Sequence, residues 1–115
     1  PVQVKTASKG AWQFSVDKFA EITFDGKKQI IGQSISQTIP DLICVFVIAG
    51  EKYGEDQFFI VEWAKVQQIV IANHKRWLDA HGGVRPKKPE SMHCAVNKED
   101  LKDYKDNWNL ISSRF

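Results

Sequence analysis

The sequence predicts an α+β domain, a mixed, mostly antiparallel sheet of about five strands with one long helix packed on it. In the N-terminal third, apolar and polar residues alternate as in half-buried strands. The run "LICVFVIA" lacks this alternation and indicates a central strand covered on both faces. After Trp63 the apolar residues recur with the helical period. A chain of 115 residues leaves no room for two independent cores, so we expect one domain over residues 1–115.

The first two strands are predicted at the start of the chain. Residues 2–6 alternate apolar and polar, and "AWQFSV" places Trp12, Phe14 and Val16 on one face. Gly10 lies between the two segments and can adopt a positive φ in a turn. We therefore expect these two strands to form a hairpin with each other.

A second hairpin and a pair of longer strands follow. Asp25-Gly26 favours a type I′ turn, and the segments "EITF" and "KQII" flank it. The central strand "LICVFVIA" is followed by a glycine-containing loop and then by "FFIVEW". We expect that last strand to run antiparallel to the central one.

The long helix is predicted over residues 63–81. Val66, Val70 and Trp77 form its apolar stripe, and Gly82-Gly83 is a strong stop signal. The segment "VRPKKPESMHCAV" contains two prolines, so we expect an irregular loop there.

The C-terminal segment is predicted to complete the core. A short helix is expected over "NKEDLKDY", with Asn97 as its N-cap and acidic residues in its first turn. Trp108, Leu110 and Ile111 in "DNWNLISSRF" are expected to pack on the sheet. The four tryptophans as a group are predicted to be core residues.

Composition excludes several classes of protein. The net charge of +2 does not by itself demand a nucleic-acid partner, so such a partner must be argued from local clusters. Two cysteines, Cys44 and Cys94, are too few for a disulfide framework. No apolar run approaches the roughly 20 residues of a membrane helix, and no signal peptide is evident. We expect a cytoplasmic protein with reduced thiols and no membrane partner.

Gln3 and Lys5 are the first candidate site residues. They lie two apart on a strand, so their side chains project from the same face. A polar stripe on a solvent-exposed edge strand would have the same pattern, because an edge lysine discourages pairing with other chains. The alternative is a site at which both side chains meet a phosphate and a metal ion.

The segment "VQVKT" resembles the third motif of the restriction-endonuclease-like superfamily, the PD-(D/E)xK nucleases, in which some members carry glutamine in place of the acidic residue. The layout of the following segments also resembles uncharacterised bacterial proteins assigned to that superfamily. The resemblance implies that Gln3 and Lys5 are catalytic residues beside Mg²⁺, which prefers hard oxygen ligands. The lysine would polarise the phosphate or help to activate the attacking water.

The chain departs from the family pattern at its start. The first metal-binding aspartate of the family precedes this motif, but only Pro1 and Val2 precede it here. We therefore expect a truncated restriction-endonuclease-like domain that is inactive as given and holds no cofactor. Alternatively, the chain is the C-terminal part of an active Mg²⁺-dependent DNA nuclease. Pro40-Asp41 with Glu62-x-x-Lys65 would rebuild the motif elsewhere, but with the wrong spacing.

Arg85, Lys87 and Lys88 form the second candidate site. Three cations in four residues are either a solvated loop or a contact for phosphate, which requires no sequence specificity. Lys75 and Arg76 on the helix would extend such a patch. We predict phosphate binding by the three loop cations, with DNA as the possible partner.

A zinc site formed by histidines is the weaker alternative for this region. His74 and His81 are seven residues apart, whereas zinc-binding helices space their ligands more closely. No C-x-x-C pair supports His93 and Cys94 as further ligands. We predict no metal site and place His74 and His81 on the surface, with His81 at the helix C-terminus.

The first strand also predicts a protein partner. With "AWQFSV" on one flank, its other edge would be open, and an open edge is a template for another chain. We expect a homodimer with two-fold symmetry. A self-associating module without a nucleic-acid role is therefore a third interpretation.

Overall fold

The computed structural model describes residues 2–36, 42–52, 54–85 and 87–113. Their strands and α-helices are, in chain order, β1 Val2–Ala7, β2 Ala11–Ser15, β3 Ala20–Asp25, β4 Lys28–Ser34, β5 Ile43–Ile48, β6 Gln57–Glu62, α1 Trp63–Ala80, β7 His93–Asn97 and α2 Asn109–Ser112. Short 3₁₀ helices lie at Val16–Lys18 and Lys98–Tyr104. The α+β class is confirmed. The single five-stranded sheet is not, because the described strands form one sheet of three and two of two.

The chain divides into two compact units. Unit 1 consists of Pro1–Trp12, Gln37–Val66 and Asn97–Phe115, and unit 2 consists of Gln13–Ser36 and Gln67–Val96. No helix in the described ranges is both long and apolar enough to cross a membrane.

Unit 1 contains the three-stranded sheet, in the order β1-β5-β6. β5 lies in the centre as predicted, antiparallel to β6 with Val45 opposite Ile60. The predicted hairpin of β1 with β2 is wrong, since β1 runs parallel to β5 with Val4 opposite Val45. β5 is apolar on both faces and must be paired on both edges to bury its backbone. β1 and β6 supply the two partners.

The core of unit 1 lies on both faces of β5. On one face, the Trp12 ring packs edge-on against Phe46 and Phe59, with centroids 5.2 and 6.0 Å away. On the other face, Leu110 and Ile111 near the C-terminus pack against a buried cluster. That cluster consists of Ile43, Val45 and Ile60. The C-terminal segment therefore packs on the sheet through these two residues, as predicted.

The two outer edges of this sheet differ. Beside β6, Lys105 forms a β-bridge with Phe59, and the Asp106 amide donates to the Phe58 carbonyl at 2.9 Å. β1 is the opposite edge strand, and its Val2 and Val4 side chains are 45% and 60% exposed. Apolar surface is therefore left in solvent at the β1 edge.

The hairpin of β3 and β4, which the sequence predicted, is confirmed and lies in unit 2. Asp25 pairs with Lys28, so the two-residue turn consists of Gly26 and Lys27 rather than Asp25-Gly26. Only Gly26 has a positive φ there, 62°, as in a type II′ turn. Glycine at the first turn position suits this geometry because it lacks a Cβ.

β2 pairs with β7, a strand that the sequence analysis missed. The two prolines of the predicted loop precede Ser91, and none follows, so nothing prevents an extended strand there. Cys94 and Val96 are buried while His93 and Asn97 are exposed, which is the alternation of a half-buried strand. The expectation of an irregular loop up to Val96 is therefore wrong.

The helices follow the sequence prediction with two differences. α1 ends at Ala80, within one residue of the expected end, but the segment after Asn97 is a 3₁₀ helix. Asn97 and Asp100 form the capping box there. The placement of all tryptophans in the core is wrong, because Trp108 is 45% exposed and only Trp12 is buried outright.

Candidate anion-binding pocket

The C-terminal end of α1 supplies the first wall of a pocket in unit 2. Gly82 and Gly83 have φ values of 64° and 83°, which only glycine adopts without strain. The Gly83 amide donates to the Leu78 carbonyl at 2.7 Å and so satisfies a carbonyl at the helix end. This reversal directs the following residues back along the last two turns of α1, where Trp77 lies.

The three predicted phosphate-binding residues line one cavity. It has a volume of about 250 Å³ and is lined by Trp77, Arg85, Lys87, Lys88 and Ser91. Most of its wall is apolar, so the cations bring positive charge to a cavity with an aromatic side. Within the described residues, none of the three cations forms an ion pair. Their charges are therefore available to an anion from solvent.

Arg85 is held in a defined position. Its guanidinium carbon lies 4.4 Å from the Trp77 ring centroid, a cation–π contact. Its Nη1 donates to the His93 carbonyl at 2.8 Å. The His81 ring is also stacked on Trp77, with the ring centroids 4.0 Å apart and the ring planes at 18°. These contacts place three flat side chains together beside the cavity.

His81 itself matches its prediction. It is exposed, and its Nδ1 lies 2.8 Å from the Trp77 carbonyl oxygen at the end of α1. Because a carbonyl only accepts, Nδ1 carries a proton and donates it. The bond holds the ring against Trp77.

The basic segment, which carries Lys87 and Lys88, is held in place by hydrogen bonds from a buried glutamine. Gln29 on β4 is 5% exposed, and its Nε2 donates to the carbonyls of Pro89 and Ser91 at 2.8 and 2.7 Å. Its backbone amide also donates to the Gly83 carbonyl at 2.8 Å. Gln29 thus binds both ends of the segment that carries Lys87 and Lys88.

A buried histidine completes this network. His74 is 1% exposed, so its predicted surface position is wrong. Its Nε2 lies 2.8 Å from Gln29 Oε1, which can only accept, so Nε2 is the donor. Nδ1 is buried without a hydrogen-bond partner among the described residues. Burial lowers the pKa of His74, and the charge of Arg85 lowers it further. The ring is therefore neutral near pH 7.

Charge is unevenly distributed between the two units. Unit 2 contains eight Lys and Arg residues against five Asp and Glu residues, a net charge of +3. Unit 1 contains eight against nine, a net charge of −1. The basic character of the chain therefore belongs to the unit that contains the pocket.

Gln3 and Lys5 lie in unit 1, on one face of β1. In the parallel register Gln3 is opposite Cys44 and Lys5 is opposite Phe46. Gln3 is exposed and Lys5 is half-buried. Burial raises the pKa of the Cys44 thiol to about 11, although the charge of Lys5 partly opposes this. The thiol beside Lys5 is therefore protonated at neutral pH and is not a nucleophile.

The described neighbours of this pair on β5 and β6 do not include a carboxylate on the same face. Glu62 is opposite Ile43, which lies on the other face of β5. Lys65 lies in the first turn of α1, while Pro40 and Asp41 fall outside the described residues. Within the described ranges, no group of three or more His, Cys, Asp or Glu side chains could hold a metal ion.

The sequence analysis found the cations of the pocket but not its other members. Trp77 was assigned to the core, and Gln29, His74 and Ser91 were not recognised as neighbours of the basic loop. Gln29 stands 60 and 62 positions from its two carbonyl partners, so no local pattern reports the contact. The burial of Gln29 is known only from the fold, so no sequence signal pointed to it.

Comparison of the chain with known family models, curated proteins and solved structures finds no match.

Proposed function

We propose that this chain is a restriction-endonuclease-like domain that binds nucleic acid through the pocket of unit 2. The observation that supports it most is the convergence of Arg85, Lys87 and Lys88 on one cavity beside Trp77. Half or more of protein–DNA hydrogen bonds go to phosphate and sugar, and Arg and Lys are the usual donors. Because Gln29 holds two backbone carbonyls of this segment, its backbone loses little freedom on binding.

The nuclease-like part of the proposal concerns β1. The parallel pairing of β1 with β5 and the common face of Gln3 and Lys5 are compatible with a strand of that superfamily. An amide and an ammonium group do not suffice to hold Mg²⁺, which needs oxygen ligands, usually carboxylates. The domain is therefore proposed to be inactive as given, with the C-terminal part of an active Mg²⁺-dependent nuclease as the alternative.

Salt-dependent binding tests the nucleic-acid role. Neutralising three phosphate contacts in Arg85→Gln/Lys87→Gln/Lys88→Gln should flatten the slope of log affinity against log salt by up to about three units. The matched control is Lys9→Gln/Lys52→Gln/Lys102→Gln, which removes the same charge from exposed positions of unit 1. Equal losses in both variants, or no binding by the parent at low salt, would refute the proposal.

A cleavage assay tests the proposed inactivity. We expect no cleavage of DNA by the 115-residue chain with Mg²⁺ or Mn²⁺. Cleavage that is lost in Lys5→Ala would contradict this expectation, since it would show that a further metal ligand is supplied from elsewhere, for example by another subunit. The nuclease alternative is favoured only by metal-dependent cleavage by a longer protein that includes this chain.

Self-association is a second candidate function, favoured by the edge of β1. Its exposed Val2 and Val4 lie beside Ile43 and Val45, which are buried. Pairing of two β1 edges across a two-fold axis would bury these valines in both copies. Sedimentation should then detect a dimer at micromolar concentration, and Val4→Lys should weaken it. A monomer throughout would end this candidate.

A further inference from the structure

The wall of the pocket is suited to more than a phosphate group. The cavity has a volume of about 250 Å³. A bare phosphate would be surrounded by hydrogen-bond donors, yet most of this wall is apolar. The charges come from Lys87, Lys88 and Arg85, while the Trp77 ring supplies apolar surface. The fitting ligand therefore joins an anion to a flat apolar group.

Flat side chains beside the cavity give that group a place to stack. The Arg85 guanidinium carbon lies 4.4 Å from the Trp77 ring centroid, and the His81 imidazole is stacked on the same ring at 4.0 Å. These two side chains cover the Trp77 ring, so the guanidinium plane is the surface on which a flat group can stack. Aromatic rings and guanidinium planes are the surfaces on which proteins stack unpaired bases. In a duplex, the faces of each base are covered by its neighbours, and the grooves offer only base edges and backbone. A base with a free face belongs to a single strand.

We propose that the pocket binds single-stranded nucleic acid, with one unpaired base stacked on the Arg85 guanidinium, which the Trp77 ring supports from behind, and an adjacent phosphate at Lys87 and Lys88. This inference deepens the proposed function and depends on it. The form of nucleic acid is a single strand, and Arg85 selects it by stacking on the unpaired base. A free mononucleotide has the same two groups, so the experiment must also distinguish it from the polymer.

The first experiment compares two forms of one sequence. A labelled 12-nucleotide strand and its duplex are titrated with the full chain at low salt, and fluorescence anisotropy is measured. We expect the single strand to bind at least tenfold more tightly. Unlabelled thymidine monophosphate at millimolar concentration should not displace it, because a strand makes several phosphate contacts.

Variants of Trp77 and Arg85 test the stacking surface. Trp77→Leu keeps apolar volume but removes the ring that supports the Arg85 guanidinium, and it should weaken single-strand binding about fivefold to a hundredfold. Trp77→Phe keeps a ring and should retain most of the affinity. Trp108→Leu is the control, because Trp108 is exposed but belongs to unit 1. If Trp77→Leu does not fold, Arg85→Lys provides the test, since it keeps the positive charge but removes the guanidinium plane. Arg85→Lys should then weaken single-strand binding.

The outcomes separate this inference from the proposed function. Equal affinity for strand and duplex, with both weakened when the three cations are neutralised, would overturn the single-strand inference and leave the proposed function standing. Displacement by the mononucleotide would overturn the assignment to a polymer. Absence of binding to either form at low salt would overturn both.

Discussion

The two units hold their candidate residues by different means. In unit 1, Gln3 and Lys5 lie on a regular strand, and the hydrogen bonds of β1 with β5 fix their face and spacing. In unit 2, the cations lie on an irregular segment between α1 and β7, held by side-chain hydrogen bonds from Gln29 and Arg85. A strand orients residues through its own backbone, whereas the loop needs a partner from elsewhere in the chain.

This difference decides where binding is expected. The face of β1 is surrounded by a protonated thiol and apolar rings, and unit 1 carries a charge of −1. The pocket has three cations with no ion pair among the described residues, in a unit of charge +3. A motif on a strand is therefore easy to recognise in the sequence, whereas the proposed anion site depends on long-range contacts that bring the three cations to one cavity beside Trp77.

The largest expected effect concerns the apolar core of unit 1. Phe46 is fully buried beneath Trp12, and Phe46→Ala should lower the free energy of unfolding by about 3–5 kcal/mol through lost burial and an unfilled cavity. Urea denaturation followed by circular dichroism measures the loss. Phe24→Ala is the control, because Phe24 is 43% exposed. Equal losses in the two variants would contradict the assignment of Phe46 to the core.

The next effect concerns the network that fixes the pocket. Gln29→Leu removes the donor to two carbonyls and the acceptor of His74, which should cost about 1–3 kcal/mol of unfolding free energy for each buried group left unpaired. Binding to nucleic acid should weaken as well, because the basic segment loses its anchor. Gln33→Leu on the same strand is exposed and should change neither quantity. Unchanged binding in Gln29→Leu would show that the segment needs no anchor.

A smaller effect is expected from pH. The pKa of His74 is lowered in the folded chain, whereas an unfolded histidine has a pKa near 6.5. Below about pH 6.5 the unfolded state therefore takes up a proton that the folded state resists, and stability falls as the pH decreases. Thermal melts between pH 7.5 and 5 should show this decline.

Two glutamine variants test the source of that decline. His74→Gln keeps a donor toward Gln29 but does not titrate, so it should flatten the dependence of melting temperature on pH. His93→Gln should not, because His93 is exposed in the folded chain as it is in the unfolded one. If the melting temperature declines equally steeply with falling pH in the parent chain, His74→Gln and His93→Gln, His74 is excluded as the cause of the decline.

Local patterns predicted most of the elements, but they missed β7 and some of the strand pairings. The alternation in "EITF" and "KQII", the apolar run of β5 and the glycines after α1 are signals within a few residues, and each element formed where expected. The partner of β1 was not predictable in this way, because β5 is some 40 positions away and pairs through backbone atoms that any sequence supplies. The hairpin with β2 was inferred only because the two strands are consecutive.

The same limit applies to the candidate site. Three cations in four residues were visible, but the cavity depends on the Trp77 ring and on a glutamine in β4 that binds two distant carbonyls. His74 was placed on the surface, but it is buried with a hydrogen bond to Gln29, 45 positions away in the sequence. Sequence periodicity indicates which face of an element is apolar, but it does not indicate which buried polar groups form hydrogen bonds with one another.

The position of bound nucleic acid tests the central claim most directly. We would titrate the ¹⁵N-labelled chain with an unlabelled 12-nucleotide strand and follow the amide and indole signals by NMR. We expect the largest shifts at the Trp77 indole and at the amides of Arg85, Lys87 and Lys88, with the signals of β1 unchanged. Shifts centred on Gln3 and Lys5, with the Trp77 indole unmoved, would contradict the account and assign binding to the strand instead.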